Sequence, residues 1–195
     1  MKKVVIFGLN DLAEIAWFYL TKEYNNLSPA AFTVNDEYIT QNTYHNLPIV
    51  PFEELENIYP PSDYLFFAPM TGVKMNNIRK KIYEEGKKKG YTYISYISSK
   101  ATIFGNKIGE NCFIFEDNTI QPFVQIKNNV ILWSGNHIGH HSMIEDNCFI
   151  ASHAVISGFC EIGENTFIGV NATLANNVTI GKNNWIGVGV SIVRN

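Results

Sequence analysis

A stride of six residues runs through the second half of this chain. From Ile108 to Ile192, all fifteen positions at that spacing are Ile or Leu. Neither the helix period of 3.6 nor the strand alternation of two produces such a stride. Hexapeptide repeats are typical of a parallel β-helix, in which three repeats make one triangular coil. The sequence therefore predicts a solenoid in which residues 18 positions apart stack at the usual strand spacing of about 4.8 Å.

Two other positions of the repeat are rich in small residues. The residue after the stride position is often glycine, as at Gly109 and Gly139, and we expect it to form the corner because glycine reaches backbone angles closed to other residues. Four residues after the stride position comes a second small set, which includes Cys112, Cys148 and Cys160. We interpret these cysteines as buried packing residues, not as disulfides or thiolate metal ligands.

Composition argues against several broad classes. The formal net charge is −3, which does not indicate a nucleic-acid surface, and the basic residues of 79–89 flank Glu84 and Glu85 as on a solvated helix face. No stretch approaches the length of a transmembrane helix, and Gly8 ends the first apolar run before it could form a signal sequence. An odd cysteine count without a CxxC pair agrees with a reducing compartment. We expect a cytoplasmic protein that binds neither nucleic acid nor membrane.

The first 95 or so residues follow a different pattern. Residues 4–7 form a continuous apolar run typical of a buried parallel strand, and after Gly8 the pair Asp11 and Glu14 resembles a helix capping pair. Further strands are predicted at 31–34, 48–51 and 64–68, and a second helix at 76–89. The sequence therefore predicts a Rossmann-like βαβ domain of α/β class over residues 1–95, followed by the parallel β-helix over residues 96–195.

The first turn of the α/β domain departs from a dinucleotide-binding fingerprint. A GxGxxG motif needs three glycines, and residues 8–13 contain only Gly8, so a complete NAD site is not expected. Ligands of open α/β sheets gather beyond the carboxyl ends of the strands, which is where Asn10, Asp11, Asn35 and Asp36 are expected. The alternative is that these four are turn and cap residues.

Histidine is the residue type that points to chemistry. Three of the five histidines lie within residues 136–141, and His140 comes two residues after the stride position Ile138. The residue 18 positions after His140 is Gly158. A histidine stacked beside a glycine has an open pocket and an unshielded backbone N–H, which supply the base and the oxyanion donor of acyl transfer. The alternative is that His140 is an ordinary corner residue.

These motifs resemble the sugar O/N-acyltransferases of the hexapeptide-repeat family. The Ile-Gly hexads, the small α/β domain and the segment from Ile138-Gly139-His140 to Gly158 are similar to the sialic acid O-acetyltransferase and bacillosamine N-acetyltransferase type, over essentially the whole chain. The resemblance implies a left-handed β-helix that works as a homotrimer and binds acetyl-CoA between neighbouring solenoids. It also implies that His140 is the general base and that the Gly158 amide stabilises the oxyanion, with no metal.

The resemblance further implies where the two substrates bind. Coenzyme contacts are expected at Phe149, Gly158, Val170, Gly187 and Val188. The nucleotide of a nucleotide-linked sugar is expected at Gly8, Asn10, Asp11, Asn35 and Asp36. Near His140, substrate contacts are expected from Asn136 and His141.

Two features depart from the pattern of this family. Bacillosamine enzymes tend to carry an acidic residue directly after the catalytic histidine, where this chain has His141, so the group that orients His140 is left open among Asn136, His137, His141 and Glu145. Relatives also continue into a tail that caps the solenoid, whereas this chain stops shortly after Ile192. Either the form is truncated or a trimer partner covers the exposed strand edges.

We therefore predict an acetyl-CoA-dependent acetyltransferase that N-acetylates a nucleotide-linked amino sugar in surface polysaccharide or glycan synthesis. The first alternative is O-acetylation of sialic acid or another sugar. The second is a carbonic-anhydrase-like zinc enzyme, whose imidazoles would come from His137, His140, His141 and His153. The third is a noncatalytic β-helix scaffold, which predicts that coenzyme A does not bind.

Overall fold

The protein forms two compact units. The computed structural model describes residues 2–24, 26–72 and 74–194. The first unit comprises Met1–Thr71 and Lys81–Ile94, and the second comprises Gly72–Lys80 and Ser95–Asn195. The sequence pattern assigns residues 72–80 to the α/β domain, whereas in the structure they pack with the solenoid.

The first unit is built on a five-stranded sheet. Its strands, with the helices of the same part of the chain, are β1 (Lys2–Phe7), α1 (Asp11–Glu23), β2 (Leu27–Val34), β3 (Thr43–Tyr44), β4 (Leu47–Pro51), α2 (Leu55–Ile58), β5 (Tyr64–Phe67) and α3 (Asn77–Lys88). The strand order is β3-β4-β2-β1-β5, and only β3 runs antiparallel to its neighbour. The predicted βαβ arrangement is confirmed for β1, α1 and β2, because the apolar end of β1 is buried between neighbouring parallel strands.

Helix α1 begins at an asparagine cap. The side-chain Oδ1 of Asn10 accepts a hydrogen bond from the Ala13 N–H at 3.2 Å, which satisfies one of the free donors of the first turn. The predicted capping pair of Asp11 and Glu14 is wrong, since both lie inside the first turn. There the two carboxylates still favour the helix, because its amino end carries partial positive charge.

The second unit is a parallel β-helix, as the stride predicts, and it is left-handed, as the family resemblance implies. Its two-residue strands are β6 (Tyr96–Ile97), β7 (Thr102–Ile103), β8 (Lys107–Ile108), β9 (Phe113–Ile114), β10 (Thr119–Ile120), β11 (Gln125–Ile126), β12 (Ile131–Leu132), β13 (His137–Ile138), β14 (Met143–Ile144), β15 (Phe149–Ile150), β16 (Val155–Ile156), β17 (Glu161–Ile162), β18 (Phe167–Ile168), β19 (Thr173–Leu174), β20 (Thr179–Ile180), β21 (Trp185–Ile186) and β22 (Ser191–Ile192). Every stride residue is the second residue of a strand, from β8 to β22. The apolar stride thus lines the interior.

The strands stack into three faces of a prism. Face 1 contains β7, β10, β13, β16, β19 and β22; face 2 contains β8, β11, β14, β17 and β20; face 3 contains β6, β9, β12, β15, β18 and β21. The chain turns from face 1 to face 2 at the first corner, from face 2 to face 3 at the second, and from face 3 back to face 1 at the third. From β8 onward, paired residues are 18 positions apart, as at Ile138 and Ile156.

Two positions of the repeat make the corners, for different physical reasons. The residue three places after the stride position has a positive φ, between 53° and 78°, in each repeat from Asn111 to Gly189. Asparagine occupies half of these places because it tolerates the left-handed region. The glycines one place after the stride position do not have positive φ, so the predicted reason for them is wrong. A Cβ at Gly139 or Gly163 would lie within 2.6 Å of the backbone of the next coil.

Two strands of the solenoid, β6 and β7, precede the strand of Ile108 at which the regular stride starts. Strands β6 and β7 pair with the coil that follows, but their partners are 17 residues away, as Ile103 pairs with Ile120. The turn at 104–106 is therefore one residue shorter than the other turns. This change of register hides β6 and β7 from a search that counts in strict steps of six.

Arg79 fastens residues 72–80 to the solenoid from a fully buried position. Its guanidinium donates to the backbone oxygens of Asn129, Asn147 and Cys148 at the second corner, at 2.7 Å to Asn147 and 3.0 Å to Cys148. Burial lowers the pKa of Arg79 to about 10, so the group stays charged at neutral pH and is stabilised by carbonyl dipoles.

The three cysteines are buried and free. The prediction that they fill the small inward position is confirmed, since each belongs to the solenoid core. Burial raises the pKa of the Cys112 thiol to about 11 and that of Cys148 to about 12, and it also raises the pKa of Cys160. All three are therefore neutral thiols near pH 8.

We predict that Gly163→Ala destabilises the protein and that Gly181→Ala, at the same corner position one coil later, does not. A Cβ at Gly163 would lie 2.6 Å from the Gly181 carbonyl carbon, whereas a Cβ at Gly181 would make only an ordinary contact at 3.5 Å. Overpacking of this kind costs about 1–3 kcal/mol. Chemical denaturation of both variants measures the difference, and equal midpoints would contradict the stacking argument.

We also predict that the three cysteine thiols do not react with alkylating reagents in the folded protein. At pH 8, iodoacetamide should modify none of the three cysteines, because their raised pKa values keep the reactive thiolate scarce and burial blocks access. The same reagent should modify all three in denaturant, as measured by mass spectrometry. Rapid labelling of the folded chain would show that the core opens locally.

Candidate functional site

The register of the solenoid places His140 and Gly158 next to each other at the first corner. β13 ends at Ile138, and His140 is exposed in the turn that leads to β14. A Cβ built on Gly158 would lie 2.8 Å from Cε1 of His140 and 3.0 Å from its Nε2. The predicted stack of imidazole over glycine is therefore present, and any side chain at 158 would displace the ring.

The backbone N–H of Gly158 differs from the prediction. The repeat pattern predicts an unshielded N–H, but this group donates to Oδ1 of Asn176, one coil later, at 2.8 Å. The same bond occurs at the second corner, where the Glu110 N–H donates to Oδ1 of Asn128 at 3.1 Å. This bond is thus a recurring feature of the solenoid corners. An incoming oxyanion would have to replace the Asn176 oxygen.

The imidazole of His140 contacts a second imidazole. Nδ1 of His140 lies 3.1 Å from Nδ1 of His141, which is within hydrogen-bond distance. The His141 ring stacks on Phe159, with centroids 4.9 Å apart and planes at 16°, and it packs on Phe123 at 4.6 Å. His140 meets Phe159 edge to face at 5.0 Å. A column of three rings thus supports the histidine pair.

Gln121 holds the backbone of the corner. Its Oε1 accepts a hydrogen bond from the His140 N–H at 2.9 Å. A cavity of about 380 Å³ opens at the same corner, one coil earlier, and is lined by residues 104–107 and 122–125. Phe123 is common to this cavity and to the ring column. A bound group could therefore lie beside the histidine pair.

The residues predicted to contact the coenzyme fall in three places. Gly158 is at the first corner, whereas Val170, Gly187 and Val188 lie together at the third corner, on successive coils. Val170 and Val188 have 38% and 74% of their surface exposed, so these two predicted coenzyme contacts are accessible to a ligand. Face 1 separates the first corner from the third within one chain.

Phe149 does not fit a coenzyme site. Only 7% of its surface is exposed, and its ring stacks on Phe167 at 5.3 Å. A Cβ on Gly72 would lie 3.4 Å from the Phe149 ring, so residues of the 72–80 segment cover this part of face 3. The prediction for Phe149 is corrected for that reason.

Asn136 is likewise a structural residue. It is 1% exposed, its Oδ1 accepts from the Ala154 N–H at 2.8 Å, and its Nδ2 donates to the Trp133 carbonyl. It lies four places after the stride position, where side chains point inward. The prediction that Asn136 contacts substrate is therefore corrected, whereas the accessible ring of His141 stays a candidate.

The residues predicted to hold a nucleotide meet at one edge of the first unit. β1 and β2 are neighbouring parallel strands, and Gly8 N–H donates to Thr33 O at 2.9 Å. The turn after β1 carries Asn10 and Asp11, and the turn after β2 carries Asn35 and Asp36. Gly8 has a φ of 114°, which favours glycine. The predicted convergence at the carboxyl edge is therefore present, although Asn10 is also the helix cap.

The carboxylate of Glu53 binds the turn after β2, a contact that the sequence pattern does not predict. Its carboxylate accepts from Asn35 Nδ2 at 2.8 Å and from the Asp36 N–H at 3.1 Å. Burial alone would raise the pKa of Glu53, but these hydrogen bonds lower it. A cavity of about 470 Å³ adjoins this contact, lined by residues 35, 52 and 53 and by four charged residues of 81–89. Position 53 lies two residues after the end of a predicted strand, which is the one signal that could have suggested it.

In residues 2–24, 26–72 and 74–194, no group of three or more His, Cys, Asp or Glu side chains is placed to hold a metal ion. Within the same ranges, no helix has the length and apolar character needed to cross a membrane.

Comparison with known proteins identifies the repeats. Residues 123–158 and 141–176 match the family described as bacterial transferase hexapeptide (six repeats). Residues 123–176 are therefore similar to bacterial transferase hexapeptide repeats. The matched range includes His140, Gly158 and Asn176. No curated protein matches the chain at a significant level.

Solved structures share the fold of both parts of this hexapeptide-repeat chain. The acetyltransferase domain of PglB from Neisseria gonorrhoeae FA1090 is 22% identical with a TM-score of 0.85, and the match covers 100% of this chain and 93% of that one. PerB from Caulobacter crescentus, solved with CoA and GDP-perosamine, is 21% identical with a TM-score of 0.86, covering 100% and 90%. The PglB domain has also been solved with acetyl coenzyme A, at 21% identity, a TM-score of 0.83 and coverage of 98% and 92%. At these identities the likeness establishes the fold.

Proposed function

We propose that this protein is an acetyltransferase that moves the acetyl group of acetyl-CoA to the amine of a nucleotide-linked sugar. The observation that carries the proposal is the His140 imidazole over Gly158, within repeats of the transferase family. The solved structures of the PglB domain with acetyl coenzyme A and of PerB with CoA and GDP-perosamine support it, because both share the fold across the whole chain.

His140 acts as the general base of the reaction. Its Nε2 takes a proton from the acceptor amine as the C–N bond forms, and it returns that proton to the sulfur as the C–S bond breaks. Acetyl-CoA supplies the activated acetyl thioester. The exposed imidazole supports this role, because its Nδ1 lies against His141 and Nε2 is the ring nitrogen that stays free.

The Gly158 N–H is the proposed donor to the developing oxyanion. Amide donors of this kind stabilise negative charge that appears only in the transition state. In this protein the donor already binds Asn176 Oδ1, so the substrate must displace an amide oxygen rather than bind an open N–H. The displaced Asn176 side chain is exposed and can turn toward solvent.

A homotrimer completes the coenzyme site in this proposal. Val170, Gly187 and Val188 belong to the third corner, and a single chain cannot bring that corner beside His140, because face 1 lies between them. The exposed apolar residues Phe159 at the first corner and Val188 at the third support contact between neighbouring solenoids. One chain would supply the base and its neighbour the apolar coenzyme contacts.

The carboxyl edge of the first unit binds the nucleotide of the acceptor. Gly8, Asn10, Asp11, Asn35 and Asp36 converge there beside the cavity that Glu53 adjoins. Cytoplasmic location is part of the proposal, because acetyl-CoA and nucleotide-linked sugars are intracellular metabolites. The three free, buried thiols agree with a reducing compartment.

We predict that His140→Ala lowers kcat by about 10²- to 10⁴-fold, which is the usual contribution of a general base. Release of coenzyme A thiol is measured with UDP-, dTDP- and GDP-linked amino sugars as acceptors. Coenzyme affinity, measured by calorimetry, should be unchanged. His45→Asn is the matched control, because Asn tolerates the positive φ of 48° at that turn and should keep full activity. Undiminished turnover in His140→Ala would refute the assignment.

We predict that Asp36→Ala raises the KM for the nucleotide-linked acceptor about tenfold or more, as expected when a hydrogen bond to a charged group is lost. Coenzyme affinity should not change. Asp63→Ala provides the control, since Asp63 is an exposed carboxylate in the turn before β5, at the other edge of the sheet. If both variants have the same acceptor KM, Asp36 is a turn residue only.

A further inference from the structure

We infer that His141 is a positioning residue that holds His140 in the tautomer needed for catalysis. The two side chains are adjacent at the first corner, and their Nδ1 atoms are 3.1 Å apart. Two neutral imidazoles at this distance share one proton between the two Nδ1 atoms. Whichever ring carries that proton has a free lone pair on its Nε2.

The chemistry of the site decides which ring carries the shared proton. If His141 donated its Nδ1–H, the proton of neutral His140 would lie on Nε2, and His140 could not accept a proton there. With the proton on Nδ1 of His140, the His141 Nδ1 is the acceptor and the His140 Nε2 lone pair is free. That lone pair is on the ring nitrogen away from His141, and Nε2 lies 3.0 Å from a Cβ built on Gly158. Only the second arrangement yields a base at the proposed site.

The ring column prevents His141 from turning away. Its imidazole lies between Phe123 and Phe159, which occupy the same corner position one coil before and one coil after. All three have positive φ, at 69°, 60° and 57°, so their side chains leave the corner in the same direction. Rotation of His141 would break its stack with Phe159, for which centroids lie 4.9 Å apart.

The pair also accounts for the charge formed during turnover. When His140 accepts a proton on Nε2, its Nδ1–H becomes a charged donor to neutral His141, and such bonds are shorter and stronger than neutral ones. In residues 2–24, 26–72 and 74–194, neither ring forms an ion pair with a carboxylate. His141 is therefore the group that supports the imidazolium.

Two substitutions at His141 test the role of its hydrogen-bond acceptor and the role of its aromatic ring independently. His141→Phe keeps the ring column and removes the acceptor, and phenylalanine already occupies the same corner position at Phe123 and Phe159. His141→Asn removes the ring but places an amide oxygen at the δ position, and asparagine fills the corresponding place at Asn177. Both variants are therefore compatible with the backbone.

The kinetic test compares the two variants with the wild type. The inference rests on the proposed acetyl transfer, and it predicts that His141→Phe lowers kcat about 10²-fold with the KM for acetyl-CoA within twofold of wild type. His141→Asn should recover most of that loss, because its oxygen can accept the His140 Nδ1–H. A purely structural role predicts the reverse order, with the Phe variant closer to wild type, and that result would overturn the inference.

A second measurement does not depend on activity. Heteronuclear NMR of the imidazole nitrogens, assigned with His140→Ala, should show neutral His140 with its proton on Nδ1 in the wild type and in His141→Asn. In His141→Phe, the proton should redistribute toward Nε2. A wild-type His140 protonated on Nε2 would overturn the inference even if acetyl transfer is established. If every acceptor fails, the proposed function falls, while the NMR result still decides the positioning role.

Discussion

Each coil of the solenoid is held to the next by backbone hydrogen bonds that repeat with the sequence. Met143 N–H donates to Cys160 O at 2.8 Å, and Glu161 N–H, one coil later, donates to Val178 O at 3.1 Å. Because each strand has only two residues, these bonds determine which side chains face each other across coils. The candidate site is a direct consequence, since His140 meets Gly158 by position in the repeat and not through a long loop.

Features that follow from this register could be read from the sequence. The stride of Ile and Leu predicts the strands β8 to β22, the three faces and the inward position of the cysteines. Simple addition of 18 predicts that Gly158 lies beside His140. In the first unit, the apolar run of β1 and the polar residues after β1 and β2 predict a parallel sheet with Asn35 and Asp36 at its carboxyl edge. Each of these predictions depends only on the repeat period or on the position where one strand ends.

Features that depend on lateral contacts could not be read in the same way. Burial of Phe149 requires the 72–80 segment to lie on face 3, and no repeat in the sequence indicates that contact. The bond between Gly158 N–H and Asn176 depends on how a side chain turns at the corner, which the position alone does not specify. Asn136 is a different case, because the repeat pattern alone places its side chain inside the solenoid. An amide in that position bonds to the backbone, as Asn136 does.

The same arithmetic limits how this chain could change length during evolution. Insertion of one complete coil of 18 residues outside the functional pairs keeps the stacking of every other coil. If one residue were inserted or deleted between His140 and Gly158, the glycine would no longer stack beside the histidine. The rings of His141 and Phe159 would also be separated. The turn at 104–106, which is one residue shorter than the others, lies before both of these residue pairs. Its missing residue therefore leaves both pairs aligned. Tolerance to insertion and deletion is therefore expected to change abruptly along the solenoid, with the site in its least tolerant part.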